Sequence, residues 1–226
     1  MQITPAFAFS LQKICTFVLF LRTFSANIKT MEKNDIQYLD QFELKLEEEL
    51  VTLCSTYRML DHVLLASDDI NNLWHNVLAP EYIADAVREV AAYPVVSVAW
   101  AAYLGMGVAR GWDTDWERFQ TMPYANYYGE HKFDDMDEHI VSRILGLKLD
   151  SPEARQIEDI LRTCGEKTID LIRYERIEPQ STMAFHIFAR ACKAMFRIGA
   201  ALELYRLGYK FQKVNLNDLK SPAKLS

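Results

Sequence analysis

The sequence predicts an all-α protein: a single-domain helical bundle of about five to seven helices around a buried central helix. Apolar residues recur along most of the chain at spacings of three and four, which is the period of an amphipathic helix. A chain of 226 residues, half of them apolar, is long enough to bury a sizeable core. The uncharged stretch from Ala91 to Ala109 lies near the middle of the chain and is the predicted centre of that core.

The central helix is expected to run from Tyr93 to about Arg110 and to end at Gly111. Small side chains at every fourth position form one ridge on a helix, so a second helix can approach that face closely. The stretch is long enough to span a membrane, but it contains Pro94 and is rich in alanine and glycine, so we interpret it as a core helix. The ridge consists of Ser97, Ala101, Gly105 and Ala109.

Before the central helix, the sequence predicts one long helix and two shorter ones. The long helix covers residues 35–66, where the apolar positions follow a helical period. Ser67 can cap a short second helix, and Pro80 suits the first turn of a third, which ends before Pro94. The solvent side of the long helix is assigned to Glu43, Glu47, Glu48 and Glu49.

Four further helices are expected after the central one. The first is short, starts at Asp113 or Thr114 and carries Trp116 and Phe119. The second covers about residues 134–145 and is closed by Gly146. Ser151, followed by a proline and an acidic residue, is a helix start, and this helix continues to about Ile177. The final helix runs from Ser181 to about Tyr209.

Both ends of the chain are expected to lie outside the folded domain, which is predicted over residues 31–211. In residues 1–30, Lys13 precedes the apolar run Ile14–Leu21, a pattern typical of a signal peptide or a membrane anchor. Alternatively, Met31 is the true first residue, since a patterned helix begins directly after it. Residues 212–226 are mostly polar and are expected to form a flexible C-terminal tail.

Composition restricts the partners and the compartment. A net charge of −6 argues against general binding to nucleic acids, because phosphate contacts need a basic surface. The four cysteines show no paired spacing, which favours reduced thiols and a cytoplasmic protein. We expect no cofactor and no membrane partner.

An acidic cluster near residue 135 is the candidate metal site. Asp134 and Glu138 are one turn of helix apart, and so are Asp135 and His139. Side chains at these positions could share a divalent cation. The alternative is that acidic residues gather in the first turn of a helix because they complement its dipole. The candidate ligands are Asp134, Asp135, Glu138 and His139.

The final helix carries a basic stripe, which is the candidate anion-binding site. Its members are spaced four, three and four residues apart and therefore share one face. This face could bind an anionic ligand or an acidic protein surface, or it could simply be solvated. The stripe consists of His186, Arg190, Lys193 and Arg197.

Aromatic residues concentrate after the central helix and are the candidate interface. Tyrosine and tryptophan are favoured at interfaces because they combine apolar area with a polar group. The alternative is that they pack long loops onto the core. The candidates are Trp112, Trp116, Tyr124, Tyr127 and Tyr128.

Two functions lead the hypotheses, and a membrane-associated protein that uses residues 14–21 and 91–109 is a third alternative. In the first, the protein is a helical protein without enzymatic activity that binds a protein partner or forms a homodimer through its surfaces. In the second, it is a metal-dependent hydrolase of anionic, phosphate-containing substrates. The acidic cluster would then hold a divalent metal ion and the basic stripe would hold the substrate, so the second hypothesis requires both to line one pocket.

Overall fold

The computed structural model describes residues 33–210. The predicted segments 1–30 and 212–226 lie outside this range. Between residues 33 and 210 the chain is mainly helical and contains no β-strand, which confirms the all-α prediction. The helices are α1 (Lys33–Thr56), α2 (Asp68–Leu73), α3 (Ala79–Glu89), α4 (Pro94–Phe119), α5 (Met136–His139), α6 (Pro152–Tyr174) and α7 (Thr182–Arg206).

Helices α4 and α7 form the centre of the bundle. The predicted ridge of small residues on α4 is fully buried and faces α7. A Cβ atom added to Gly199 of α7 would lie 1.8 Å from the carbonyl oxygen of Ala102, so the two backbones touch. The predicted buried central helix is therefore confirmed, and α1, α3 and α6 pack around the pair.

Two helix ends differ from the prediction. Helix α1 ends at Thr56 rather than near residue 66, because Arg58 (φ 60°) and His62 (φ 57°) adopt left-handed backbone conformations. Gly111 does not end α4, which continues to Phe119 with an interruption at Asp115 (φ −162°, ψ 78°). A Cβ on Gly111 would lie 2.1 Å from the ring of Phe119, so this glycine permits close side-chain packing within the helix.

The predicted starts of the last two long helices are confirmed. The Ser151 hydroxyl accepts a hydrogen bond from the Ala154 N–H at 3.2 Å at the start of α6. The Ser181 hydroxyl accepts one from the Ala184 N–H at 3.1 Å at the start of α7. Each cap satisfies a helix N–H that has no partner within the helix.

Two shorter helices change their hydrogen-bond period. Helix α2 continues into a π-helical turn, Trp74–Leu78, which leads directly into α3. Helix α5 lies between a 3₁₀ turn, Phe133–Asp135, and a second π-helical turn, Ile140–Ile144. Gly146, with a φ of 72°, follows that turn, as the predicted end of the helix requires.

No helix in the described range 33–210 is both long enough and apolar enough to cross a bilayer.

Candidate functional site

The basic stripe of α7 faces α1. Arg190 lies 2.9 Å from the Asp40 carboxylate and also pairs with Glu43. The Lys193 Nζ lies 2.5 Å from the Glu43 carboxylate, and Arg197 pairs with Glu47. These six side chains form one row of contacts, which we call the α1–α7 ion-pair row: Asp40, Glu43, Glu47, Arg190, Lys193 and Arg197.

The placement of Glu43 and Glu47 corrects the sequence interpretation. Helical periodicity predicts that both lie on the solvent side of α1, but they are only 6% and 8% exposed. Glu43 and Glu47 are four residues apart on α1, as are their partners Lys193 and Arg197 on α7, so charges of opposite sign meet along the contact. Because the pairing neutralises the cations, the stripe is largely committed to holding α1 against α7.

His186 begins the stripe at the N-terminal end of α7. Burial lowers the pKa of its imidazole below the ordinary value of 6.5, and nearby Arg190 lowers it further, while Asp35 has the opposite effect. The lowered pKa disfavours the charged imidazole at neutral pH. His186 therefore adds little positive charge with which the stripe could bind an anion.

The acidic cluster lies elsewhere, beside a surface cavity of about 440 Å³. Asp135, Glu138 and His139 line this cavity together with Arg143, whereas Asp134 is not part of the lining. In the described part of the chain, no three histidine, cysteine, aspartate or glutamate side chains are arranged to hold a metal ion. The lining includes no residue of α7, so the acidic cluster and the basic stripe do not share this cavity.

Asp135 has a local structural partner. Its carboxylate accepts hydrogen bonds from the His131 backbone N–H at 3.0 Å and shares a contact of 2.7 Å with the His131 imidazole. The backbone hydrogen bond, aided by the imidazole, lowers the pKa of the Asp135 carboxyl group. The same contact raises the pKa of His131. These interactions close the loop before α5.

Two of the five aromatic candidates belong to the interior. Tyr124 and Tyr127 have no exposed surface, and Tyr124 packs edge-on against Tyr82 with ring centroids 6.3 Å apart. Tyr128 is partly buried, and its hydroxyl donates a hydrogen bond to Asp85 at 3.2 Å. Tyr124 and Tyr127 are therefore core residues rather than surface contacts. Trp116 is half-buried.

Trp112 lines a second surface cavity, of about 390 Å³, which we call the Trp112 cavity. The Trp112 and Tyr209 rings meet edge to face with centroids 5.6 Å apart. The Trp112 indole N–H donates to Asp69 at 3.3 Å, and the Tyr209 hydroxyl donates to Asp113 at 2.8 Å. The lining is mainly apolar and consists of Leu64, Leu65, Ala66, Ser67, Trp112, Leu204, Tyr209 and Lys210.

The fold brings these residues together from three separate segments. The left-handed residues Arg58 and His62 let the chain turn after α1, and residues 64–67 then form one wall of the cavity. Helix α4 provides Trp112, and the remaining wall comes from Leu204 in the last turn of α7 and from residues 209–210 just beyond it. Sequence analysis identified Trp112 but not Leu65 or Tyr209, because residues so far apart in the chain share no local pattern.

Comparison with known proteins gives no guide to function. No protein-family model, curated protein or solved structure matches the chain. A functional inference must therefore be drawn from the chemistry of the Trp112 cavity and the other surfaces described above.

Proposed function

We propose that this protein is a protein-interaction module that takes an apolar side chain of a partner into the Trp112 cavity. The observation that carries this proposal is an apolar surface cavity bordered by Trp112 and by Tyr209, which is 40% exposed. Pockets lined by aromatic and aliphatic side chains favour the burial of an apolar anchor, and such anchors dominate the affinity of protein interfaces.

The rim of the cavity defines the chemistry of the partner. Asp69 and Asp113 are exposed and hydrogen-bonded to Trp112 and Tyr209. Asp61, three residues before Leu64 of the lining, accepts a hydrogen bond from Tyr205, which follows Leu204 of the lining, at 3.2 Å. Of the described lining residues, Lys210 alone is cationic. A partner segment with lysine or arginine beside its apolar residue would complement this acidic rim.

The same rim disfavours a second copy of this chain as the occupant. In a two-fold symmetric dimer, the same patch of both subunits meets at the axis. Asp69 and Asp113 of one copy would then lie near the same residues of the other, and like charges repel within the Debye length of ~8–10 Å. We therefore favour a different protein over a homodimer through this surface.

The proposal can be tested by peptide display on the full-length protein, because the partner is unidentified. A library of random peptides is selected against the wild type and counter-selected against the Tyr209→Ser variant. Selected peptides should share one apolar or aromatic residue next to lysine or arginine. Their dissociation constants, measured by fluorescence anisotropy, should rise at least ~10-fold for Tyr209→Ser, as expected when an interface anchor loses its pocket wall.

Tyr93→Ser is the matched control. Tyr93 is 61% exposed and precedes α4 at the end opposite Trp112, so its replacement should leave the affinities unchanged. Peptides without this shared pattern, or peptides that bind both variants equally, would overturn the proposal. Sedimentation analysis tests whether a second copy of this chain fills the cavity instead. If the wild type were a dimer and Tyr209→Ser a monomer, a second copy would be the occupant, contrary to the proposal.

A further inference from the structure

Two cysteines meet at the contact between α1 and α6. Cys54 lies in the last turn of α1, and Cys164 lies in the middle of α6. Their sulfur atoms are 3.6 Å apart, which is a hydrogen-bonding contact between the two thiols. Neither side chain is exposed to solvent. The pair is remote in sequence, so only the packing of α1 on α6 brings the sulfur atoms together.

The third described cysteine lies in a different environment. Cys192 is fully buried on α7, and its thiol faces the Ser97 carbonyl oxygen at 3.9 Å. The contact between Cys54 and Cys164 is therefore not a general property of the buried cysteines in the described range. The hydrogen bond with Cys54, followed by burial, raises the pKa of the Cys164 thiol, so the Cys164 thiol remains protonated in the closed structure.

We propose that Cys54 and Cys164 are a redox-responsive dithiol that low-molecular-weight disulfides, such as oxidised glutathione, convert reversibly to an intramolecular disulfide. The S–S bond length is about 2.05 Å, so the sulfur atoms must approach by roughly 1.5 Å from their present contact. Rotation of the two side chains, with a small shift of α1, supplies this movement. The product is a covalent link between α1 and α6.

The reaction proceeds by two thiol–disulfide exchanges. In the first, the deprotonated sulfur of Cys54 attacks the small disulfide, breaks its S–S bond and releases one thiolate, which takes up a proton. In the second, the deprotonated sulfur of Cys164 attacks the Cys54 sulfur of the mixed disulfide and releases the other small thiol. The protein loses two protons and two electrons, and one small disulfide is reduced to two thiols.

Cys54 is placed to react first because it lies near a helix end. Its carbonyl oxygen accepts a hydrogen bond from the Met59 N–H at 2.9 Å, which lies beyond the end of α1 at Thr56 and just after the left-handed residue Arg58. Helix ends open more readily than helix centres, so local opening there exposes Cys54 to a small reagent. Cys164 then meets the mixed disulfide when the helix closes again.

The test uses the full-length chain carrying Cys15→Ser, so that the remaining thiols are those of Cys54, Cys164 and Cys192. The protein is equilibrated with oxidised and reduced glutathione, in buffer and in a urea concentration below the unfolding transition, and free thiols are then alkylated. Mass spectrometry of tryptic peptides should show a Cys54–Cys164 link and alkylation of Cys192 alone. Dithiothreitol should restore alkylation at both linked positions.

Two variants serve as controls. Cys192→Ser should leave the Cys54–Cys164 link intact, whereas Cys164→Ser should abolish it and leave Cys54 as a thiol or a mixed disulfide. The peptide map of the chain that retains all three thiols shows directly whether the Cys54–Cys164 disulfide forms, so the test does not depend on whether either variant folds. Alkylation of both Cys54 and Cys164 under the oxidising condition, with and without urea, would overturn the proposal, as would a link that involves Cys192.

Discussion

The carbonyl oxygen of Phe196 lies 2.0 Å from the position that a Cβ atom on Gly105 would occupy. The reciprocal contact, between Gly199 and the Ala102 carbonyl, is equally close. Helices α4 and α7 thus meet through their backbones at two glycines, and any side chain at either position must force the helices apart. This close contact fixes α7 at the centre of the bundle and turns Arg190 and Arg197 toward α1.

Replacing Gly105 with alanine should therefore destabilise the protein. Alanine favours a helix over glycine by ~1 kcal/mol, but overpacking a core typically costs ~1–3 kcal/mol and the clash here is with backbone. We expect a net loss in the free energy of unfolding, measured by urea denaturation. Gly107→Ala is the control: its added Cβ would lie 3.3 Å from the Tyr127 ring, a tight contact with a side chain rather than an overlap with backbone, so its loss should be smaller. Equal losses for the two variants would contradict the prediction.

The α1–α7 ion-pair row makes a second prediction. Arg197→Glu leaves Glu47, which is 8% exposed, beside a like charge. Removing one partner of a fully buried ion pair costs ~3–5 kcal/mol, and we expect about 2–4 kcal/mol because the Arg197 side chain retains some exposure. Urea denaturation measures the loss, and the combined variant Glu47→Arg with Arg197→Glu should recover part of it.

An exposed ion pair provides the comparison. Arg162 pairs with Asp159 on the outer face of α6, where the two side chains are 54% and 70% exposed. Arg162→Glu should cost much less than Arg197→Glu, because solvent screens an exposed pair. If both reversals had the same effect, the α1–α7 row would contribute no more than an ordinary surface contact.

The ion-pair row also shows why sequence analysis succeeded in part. Ser151 could be recognised as a cap, and Ser181 as the start of a helix, because such a signal and its helix are adjacent in the chain. The burial of Glu47 could not be recognised in this way. Periodicity separates the apolar and polar faces of one helix, but it does not reveal that a second helix of opposite charge packs on the polar face. The left-handed φ of Arg58, which ends α1, had no glycine or asparagine to indicate it.

The candidate sites follow the same rule. The ridge that includes Gly105 was predictable, since it lies on a single helix. The Trp112 cavity was not, because Leu65 and Tyr209 join Trp112 only after α1, α4 and α7 have packed. Local patterns therefore predicted the helices and the central contact, whereas the sites depend on contacts between distant segments.

Glu47 should give the protein a characteristic pH dependence. Burial raises the pKa of its carboxyl group above the ordinary value of 4.5, Arg197 opposes this effect, and Glu43 adds to it. Between 4.5 and the raised value, the folded state binds a proton that the unfolded state does not. The contribution of Glu47 to the free energy of unfolding is therefore greater at low pH and falls as the pH rises through this window.

The measurement is the difference in the free energy of unfolding between wild type and Glu47→Gln, taken at several pH values from about 4 to 8 to bracket the ordinary value for glutamate. This difference should fall from acidic to neutral pH. Glu48→Gln, on the exposed side of α1, controls for the removal of one formal charge. A difference that rises toward neutral pH would mean that Arg197 lowers the pKa of Glu47 by more than burial raises it.

The last prediction concerns divalent metal ions at the acidic cluster. An ion that binds the folded chain alone raises the melting temperature by mass action, and a concentration 100 times the dissociation constant adds ~2.7 kcal/mol. Asp135 is already hydrogen-bonded to His131, and the described residues provide no three-ligand group. Mg²⁺, Mn²⁺ and Zn²⁺ should therefore cause no saturable shift, as measured by differential scanning fluorimetry.

The double variant Asp135→Asn with Glu138→Gln distinguishes this outcome from the metal-dependent alternative. We expect a small loss of thermal stability, because the loop before α5 loses its charge-assisted contact with His131, and no change in the response to metal ions. Asp159→Asn with Glu166→Gln removes two carboxylates from the exposed face of α6 and controls for net charge. A saturable shift that the first double variant abolishes and the second retains would instead support a metal site beside the 440 Å³ cavity.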